Sequence, residues 1–257
     1  MDEQALPGGR TTGTVRVGDT VRRTVQPWTP SVQALLRHLE AAGFEGAPRV
    51  LGFDDRGREV LTFMEGDVIG DLRPWPAWAV ADDSLAQAGA WARRLHDITA
   101  DFVPPADARW FTGRPWRPGL ILAHNDAAPY NAVWRDGRLA GFVDWDTASP
   151  TTREFELAWM ALTWVPLNTR SYADVLAPGD ATERSRRLHV LLDGYGYDGD
   201  RASLPEVIAR RARVNAQVIR QIAAGGDPVY KALLPFADDQ DQAAIDVLSL
   251  PASFWEP

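Results

Sequence analysis

Apolar residues recur along this chain in two rhythms. Up to about residue 65 they alternate with polar ones over short runs. Thr14-Val15-Arg16-Val17 and Thr20-Val21-Arg22-Arg23-Thr24-Val25 are separated by Gly18-Asp19. Such alternation predicts half-buried strands, and the Gly-Asp step predicts a hairpin. Val50–Phe53 and Glu59–Met64 predict two more strands around the turn Asp54-Asp55-Arg56-Gly57. One helix interrupts them, from about Ser31 to Ala42, with Val32, Leu35, Leu36 and Leu39 as its stripe and Gly43 at its end. Beyond residue 66 the period lengthens to that of helices. Leu85, Ala88, Ala92, Leu95 and Ile98 mark one, and 157–162, 184–192 and 205–224 mark three more. Pro74-Trp75-Pro76 and the four prolines between Asp101 and Gly119 predict irregular chain. Strands first and helices later predict an α+β fold, with a small β-rich lobe over 1–66 and a larger, mainly helical lobe over 67–257.

One segment of the second part departs from the helical rhythm. Ala132-Val133-Trp134-Arg135 and Arg138-Leu139-Ala140-Gly141-Phe142-Val143 flank Asp136-Gly137, a two-residue hairpin signal. With Arg135 opposite Arg138, Asn131 falls opposite Phe142, and Asp144 lies two residues further at the open end. Strand rise then brings Asn131 and Asp144 within roughly 7 Å of each other. Asp126 enters the same end from the loop that follows Leu120-Ile121-Leu122-Ala123. Oxygen ligands at one hairpin mouth suit Mg²⁺, which favours carboxylates, carbonyls, water and substrate phosphates. A further carboxylate outside the metal's ligands can orient a hydroxyl and take its proton. Phosphoryl transfer needs little beyond such positioning and charge neutralisation.

Composition narrows the partners. Net charge is −8, the wrong sign for a broad nucleic-acid surface and compatible with a cationic small molecule. Lysine occurs once, at Lys231, so the basic residues are almost all arginine. Cysteine is absent, which excludes disulfides and thiol catalysis. His38, His96, His124 and His189 form no closely spaced pair of zinc-ligand type. No apolar run approaches the roughly 20 residues that span a bilayer. Met1-Asp2-Glu3-Gln4 lacks a secretory apolar core, so the expected location is cytoplasmic. The sequence carries no signal of oligomeric state.

The order His124-x-Asp126-x4-Asn131, followed after one hairpin by Asp144-Trp145-Asp146, resembles the signature of the aminoglycoside phosphotransferase and choline kinase family. Leu95-His96-Asp97 at a helix end and Glu65-Gly66 after a strand fit the same pattern. The resemblance implies a bilobal protein-kinase-like fold and an ATP- and Mg²⁺-dependent transfer of phosphate to a small-molecule hydroxyl. It implies Asp126 as the catalytic base, Asn131 and Asp144 as magnesium ligands, and His124 as a brace of the catalytic loop. Phe63, Met64 and Glu65 correspond to the hinge whose backbone meets adenine, and Gly8–Gly13 to the phosphate-covering turn. Asp146 and Trp145 are candidates for substrate contact or support of the metal's surroundings.

Three departures bear on activity. The family's phosphate-contacting lysine has no lysine here; alternation puts Val21 and Arg23 on one face of the strand, which makes Arg23 the candidate replacement, with Arg22 outside. The helix glutamate expected beside that cation has two stand-ins, Glu40 and Gln33. Glu156 occupies the place of an aspartate expected to brace the catalytic loop. Asn125 stands where glycine is common. Two functions follow: a working small-molecule kinase, or a phosphotransferase-like binding or immunity protein with little catalysis. A protein kinase fits less well, because no activation segment separates Asp146 from the helix near Phe155.

Overall fold

The computed structural model describes residues 3–6, 13–70, 72, 74–173 and 179–256. The phosphate-covering turn expected over Gly8–Gly13 lies outside them except for Gly13. The first elements are β1 (Gln4–Ala5), β2 (Val15–Val17), β3 (Thr20–Arg23), α1 (Thr29–Ala41), β4 (Val50–Phe53) and β5 (Glu59–Thr62). The strands form one antiparallel sheet in the order β1-β2-β3-β5-β4. β3 and β5 adjoin at its centre, with Val21 opposite Leu61 and Arg23 opposite Glu59. The α1 stripe is the expected one: Val32, Leu35, Leu36 and Leu39 are all buried. β3 stops at Arg23 and β5 at Thr62, both two residues short of the predicted ends.

Next come α2 (Ala77–Val80), α3 (Asp82–Thr99), β6 (Ile121–Ala123), β7 (Ala132–Arg135), β8 (Arg138–Phe142) and β9 (Ser149–Thr151). β6 pairs with β9, Ala123 opposite Ser149, so the segment 124–148 leaves and re-enters at one place. The β7–β8 hairpin lies inside it. Asp136 and Gly137 both have positive φ, 53° and 72°, which suits the strand twist of a two-residue turn.

The remaining helices are α4 (Arg153–Trp164), α5 (Ala181–Tyr195), α6 (Leu204–Ala224), α7 (Pro228–Ala232) and α8 (Leu234–Leu248). α8 has no counterpart among the sequence expectations. Its buried face is Ala237, Gln240, Ala243, Ala244 and Val247. Small residues and a glutamine give little hydrophobic contrast, yet alanines allow close approach to α6 around Ala216 and Ile219.

The chain divides into two compact units. Residues 1–71 group with 91–153, and residues 72–90 with 154–257. The sheet, α1 and the whole 124–148 segment therefore belong to one unit, and every ion pair described below lies inside it. Among the described residues, no helix is long and apolar enough to cross a membrane.

Candidate active site

The 124–148 segment is fixed from behind by His124. Its Nε2 donates to the Val143 carbonyl at 2.9 Å, and its Nδ1 accepts from the Asp126 backbone N–H at 3.2 Å. That division of roles requires the neutral ring. Full burial enforces it, holding the His124 pKa down to about 4. Asn125 adopts φ of 62°, which explains how it stands in a glycine's place: asparagine tolerates the left-handed region. Its Nδ2 donates to the Ala123 carbonyl at 3.2 Å and to the Ser149 carbonyl and Oγ at 3.0 Å, which ties loop to β9.

Asp126 follows, half-buried. The Tyr130 hydroxyl donates to its Oδ1 at 2.7 Å, and Asn131 Nδ2 donates to its Oδ2 at 2.9 Å and its carbonyl at 3.0 Å. The Asn131 nitrogen is thereby committed to Asp126, and its Oδ1 is the atom that can meet a cation. Tyr130 lies within the motif stretch, but sequence reasoning assigned it nothing. The 3-10 turn Pro129–Asn131 brings its hydroxyl back to Asp126.

The hairpin register differs from the one counted by equal steps. Arg135 does face Arg138, but a bulge between Val133 and Trp134 puts Gly141 opposite Val133 and Phe142 opposite Ala132. Asn131 is bonded across the ladder by the Val143 N–H at 2.9 Å, so it stands opposite the residue next to Asp144. The bulge has a physical reason at Gly141. That residue has φ of 149° and lies against the Gly46 backbone, where a Cβ would come within 2.3 Å of the Gly46 carbonyl oxygen. Only glycine fits there, and the adjacent Phe142 N–H donates to the same carbonyl.

Asp144 itself is left-handed, φ 62° and ψ 63°. It is solvent-accessible by surface area although protein is dense around it, which describes a recessed position rather than a protruding tip. Those surroundings, and then the Asp146 carboxylate, push its pKa up, while Arg23 pulls the other way. An accessible carboxylate with incomplete neutralisation is a natural cation ligand. Among the described residues no cluster of three His, Cys, Asp or Glu is placed to hold a metal. This donor set fits Mg²⁺, which is bound through one or two protein oxygens together with substrate phosphates.

Trp145 lies in the core, 1% exposed, with its indole N–H donating to the Phe142 carbonyl at 2.8 Å. Its ring packs near His124 and Trp91. It supports the loop from behind and offers no face to a substrate. Trp159, Trp164 and Tyr195 are buried too.

The cationic corner is Arg23, 6% exposed. Its Nε donates to Glu59 Oε2, and its Nη1 lies 2.9 Å from Asp146 Oδ1, an ion pair without hydrogen-bond alignment. Burial opposes its charge, but Asp146 and Glu59, with Asp144 behind them, outweigh burial and raise its pKa. Arg22, its neighbour, reaches the other way to Asp54 at 3.5 Å. Of the two stand-ins for the helix glutamate, Glu40 is exposed, whereas Gln33 is buried and donates to Glu59 Oε1 at 3.0 Å. Sequence reasoning missed Glu59. Its only signal, an acid at the start of a strand, becomes informative once β3 and β5 are known to pair.

Along the segment after β5, the Phe63 N–H donates to the Asp19 carbonyl, and Arg16 stacks on the Phe63 ring at 3.6 Å. Phe63 therefore has no backbone donor left for a base. Met64 is half-buried, and Glu65 is exposed and paired with Arg16 at 2.8 Å. Glu156 is buried in the first turn of α4 and belongs to the second unit.

Residues 108–189 match the profile of the phosphotransferase enzyme family. The chain is 41% identical over 204 residues to a trifolitoxin immunity protein of Rhizobium leguminosarum bv. trifolii, covering 76% of this chain and 74% of that one. Its fold resembles that of a choline/ethanolamine kinase family protein from Mesorhizobium loti, with TM-score 0.66 and 18% identity over 99% of this chain and 91% of that one. An amicoumacin kinase solved with AMP-PNP and Ca²⁺ gives TM-score 0.63 at 11% identity, covering 97% and 93%. The sheet with its following helices is thus a protein-kinase-like fold, and the loop carrying Asp126, Asn131 and Asp144 falls inside the matched segment: the chain belongs to the phosphotransferase enzyme family.

Proposed function

We propose that this chain is an ATP- and Mg²⁺-dependent O-phosphotransferase acting on a small-molecule hydroxyl. The observation that carries the reading is the division of labour at the hairpin mouth. Asn131 turns its nitrogen to Asp126, and its oxygen and the under-neutralised Asp144 remain for a cation. In this reading Asn131 and Asp144 would hold Mg²⁺, and Asp126 would receive the acceptor hydroxyl. Arg23 faces a phosphate oxygen, with the segment 64–65 beside the base. When bound, Mg²⁺ would neutralise charge on the β- and γ-phosphates. Asp126 would orient the hydroxyl oxygen for in-line attack and take its proton as the new O–P bond forms and the bond from the γ-phosphorus to the β–γ bridging oxygen breaks, with ADP as the leaving group. His124 holds the loop geometry without carrying charge. Residues 1–66 would serve the nucleotide and 67–257 the chemistry and the acceptor, in a cytoplasmic protein. The acidic balance favours a cationic acceptor.

The kinase relative solved with AMP-PNP and Ca²⁺ supports a nucleotide and a divalent ion. The immunity relative favours a second reading: protection against a toxin by binding, with little or no turnover. ADP release over a panel of aminoglycosides, other antibiotics, sugars and amino alcohols separates the two. Turnover abolished by Asp126→Asn supports the kinase. No turnover on any acceptor, together with no Mg·ATP binding in a thermal-shift titration, sinks it.

A further inference from the structure

We propose that Glu59, on a strand, is the positioning residue for the nucleotide cation Arg23, and that helix α1 contributes only the neutral amide of Gln33. The inference rests on Arg23 meeting a nucleotide phosphate, as argued above. Arg23 and Glu59 are direct partners across the β3–β5 ladder. Glu59 is fully buried, and both its oxygens are engaged, Oε2 by Arg23 Nε and Oε1 by Gln33 at 3.0 Å. A planar guanidinium held through Nε has its remaining edge aimed in a fixed direction. On that edge Nη1 meets Asp146, and Nη2 is buried with no hydrogen-bond partner among the described residues. Buried donors without partners are rare in native proteins, and an anionic oxygen is the strongest partner for a guanidinium.

The two carboxylates beside Arg23 differ in permanence. The Glu59 contact is a hydrogen bond sealed from solvent, whereas Asp146 is partly exposed and badly aligned. Glu59 is the fixed anchor, and Asp146 is the contact a phosphate can replace. Because cation and anchor belong to one ladder, their pairing does not depend on where α1 stands.

The test is titration of the whole protein with a non-hydrolysable ATP analogue and Mg²⁺, alongside its melting temperature. Glu59→Gln should weaken nucleotide binding about tenfold, since one charge-assisted contact no longer directs the guanidinium. Moving the carboxylate along the same hydrogen bond, in Gln33→Glu/Glu59→Gln, should return affinity to within about threefold of wild type. The exchange Arg23→Glu/Glu59→Arg should recover melting temperature relative to Arg23→Glu alone but not nucleotide binding. Glu59→Gln that melts lower yet binds normally would make the pair purely structural. Recovery of binding by the charge exchange would show that the cation's place is immaterial, and also overturns the proposal. Wild-type protein that binds no Mg·nucleotide overturns the functional reading as well, so the two failures are distinguishable.

Discussion

Arg23 and Asp144 belong to the same compact unit, and they handle charge in opposite ways. Arg23 is sealed from water, and its charge is compensated by Glu59 and Asp146. Asp144 is recessed but accessible, next to a like charge, and its pKa is pushed up. A buried compensated pair is a structural commitment, because removing one member strands the other. A crowded, accessible carboxylate is held in readiness, and its discomfort ends only when a cation arrives. The fold gives the first to the sheet, where a ladder holds both partners. The second sits at a left-handed residue, where the chain turns out of the hairpin.

The largest expected effects test the functional side of this contrast. Asp126→Asn should lower phosphoryl transfer by about 10³-fold while leaving Mg·nucleotide affinity near wild type, measured by ADP release and titration. Asp144→Asn should abolish the Mg²⁺ dependence of nucleotide binding without lowering the melting temperature. Asparagine accepts the left-handed backbone, and the repulsion from Asp146 is relieved. A clear drop in melting temperature for Asp144→Asn would erase the distinction between the two corners.

The structural side predicts the reverse. Arg23→Met leaves Glu59 buried without its counter-charge and should cost about 3–5 kcal/mol of stability by urea unfolding. Arg23→Met/Glu59→Leu should recover most of that loss, because an apolar replacement of a whole buried pair is close to neutral. Nucleotide affinity should stay low in both.

Acid sharpens the comparison through groups that the fold keeps neutral. Burial holds His124 to about 4, and burial followed by Arg153 holds His96 to about 3, against an ordinary value of 6.5. Both folded-state values are depressed, so the stability they contribute is complete above about pH 6.5 and is lost as pH falls toward the folded values. Between pH 7.5 and 5 the loss should be about 2 kcal/mol for each histidine. His96→Gln should flatten the pH dependence of the unfolding free energy by one such increment.

What the sequence made legible follows the distance over which each feature is encoded. Asp126, Asn131 and Asp144 lie within twenty residues, and a turn of two positive-φ residues brings the latter two together. Their convergence could be counted from local rules, and only the bulge escaped, because it depends on Gly141 meeting Gly46 far away in the chain. The Arg23 corner is different. Glu59 is 36 residues from Arg23 and Gln33 is 26 from Glu59, with a helix and a strand intervening. Alternation along β3 pointed to Arg23, but nothing local names the strand lying opposite. α8 escaped for another reason: its packing face is made of alanines, and a period written in small residues has little contrast.

Tyr130 tests the smallest step, how far one neutral contact beside the base matters. Its hydroxyl donates to Asp126 Oδ1 at 2.7 Å while Asn131 holds Oδ2 at 2.9 Å, so the carboxylate is gripped at both oxygens. Each contact favours the ionised form and fixes the plane in which the remaining lone pairs point. Tyr130→Phe removes one grip and leaves the ring in place. Turnover should fall about three- to tenfold, the worth of about 1 kcal/mol for a single neutral hydrogen bond. Nucleotide affinity should not change, because the contact removed is one to the base Asp126. A rise in turnover would mean instead that the hydroxyl occupies a lone pair the acceptor needs. Tyr130 would then restrain the base, and the Asp126 end of the site would be held back much as Asp146 holds Arg23.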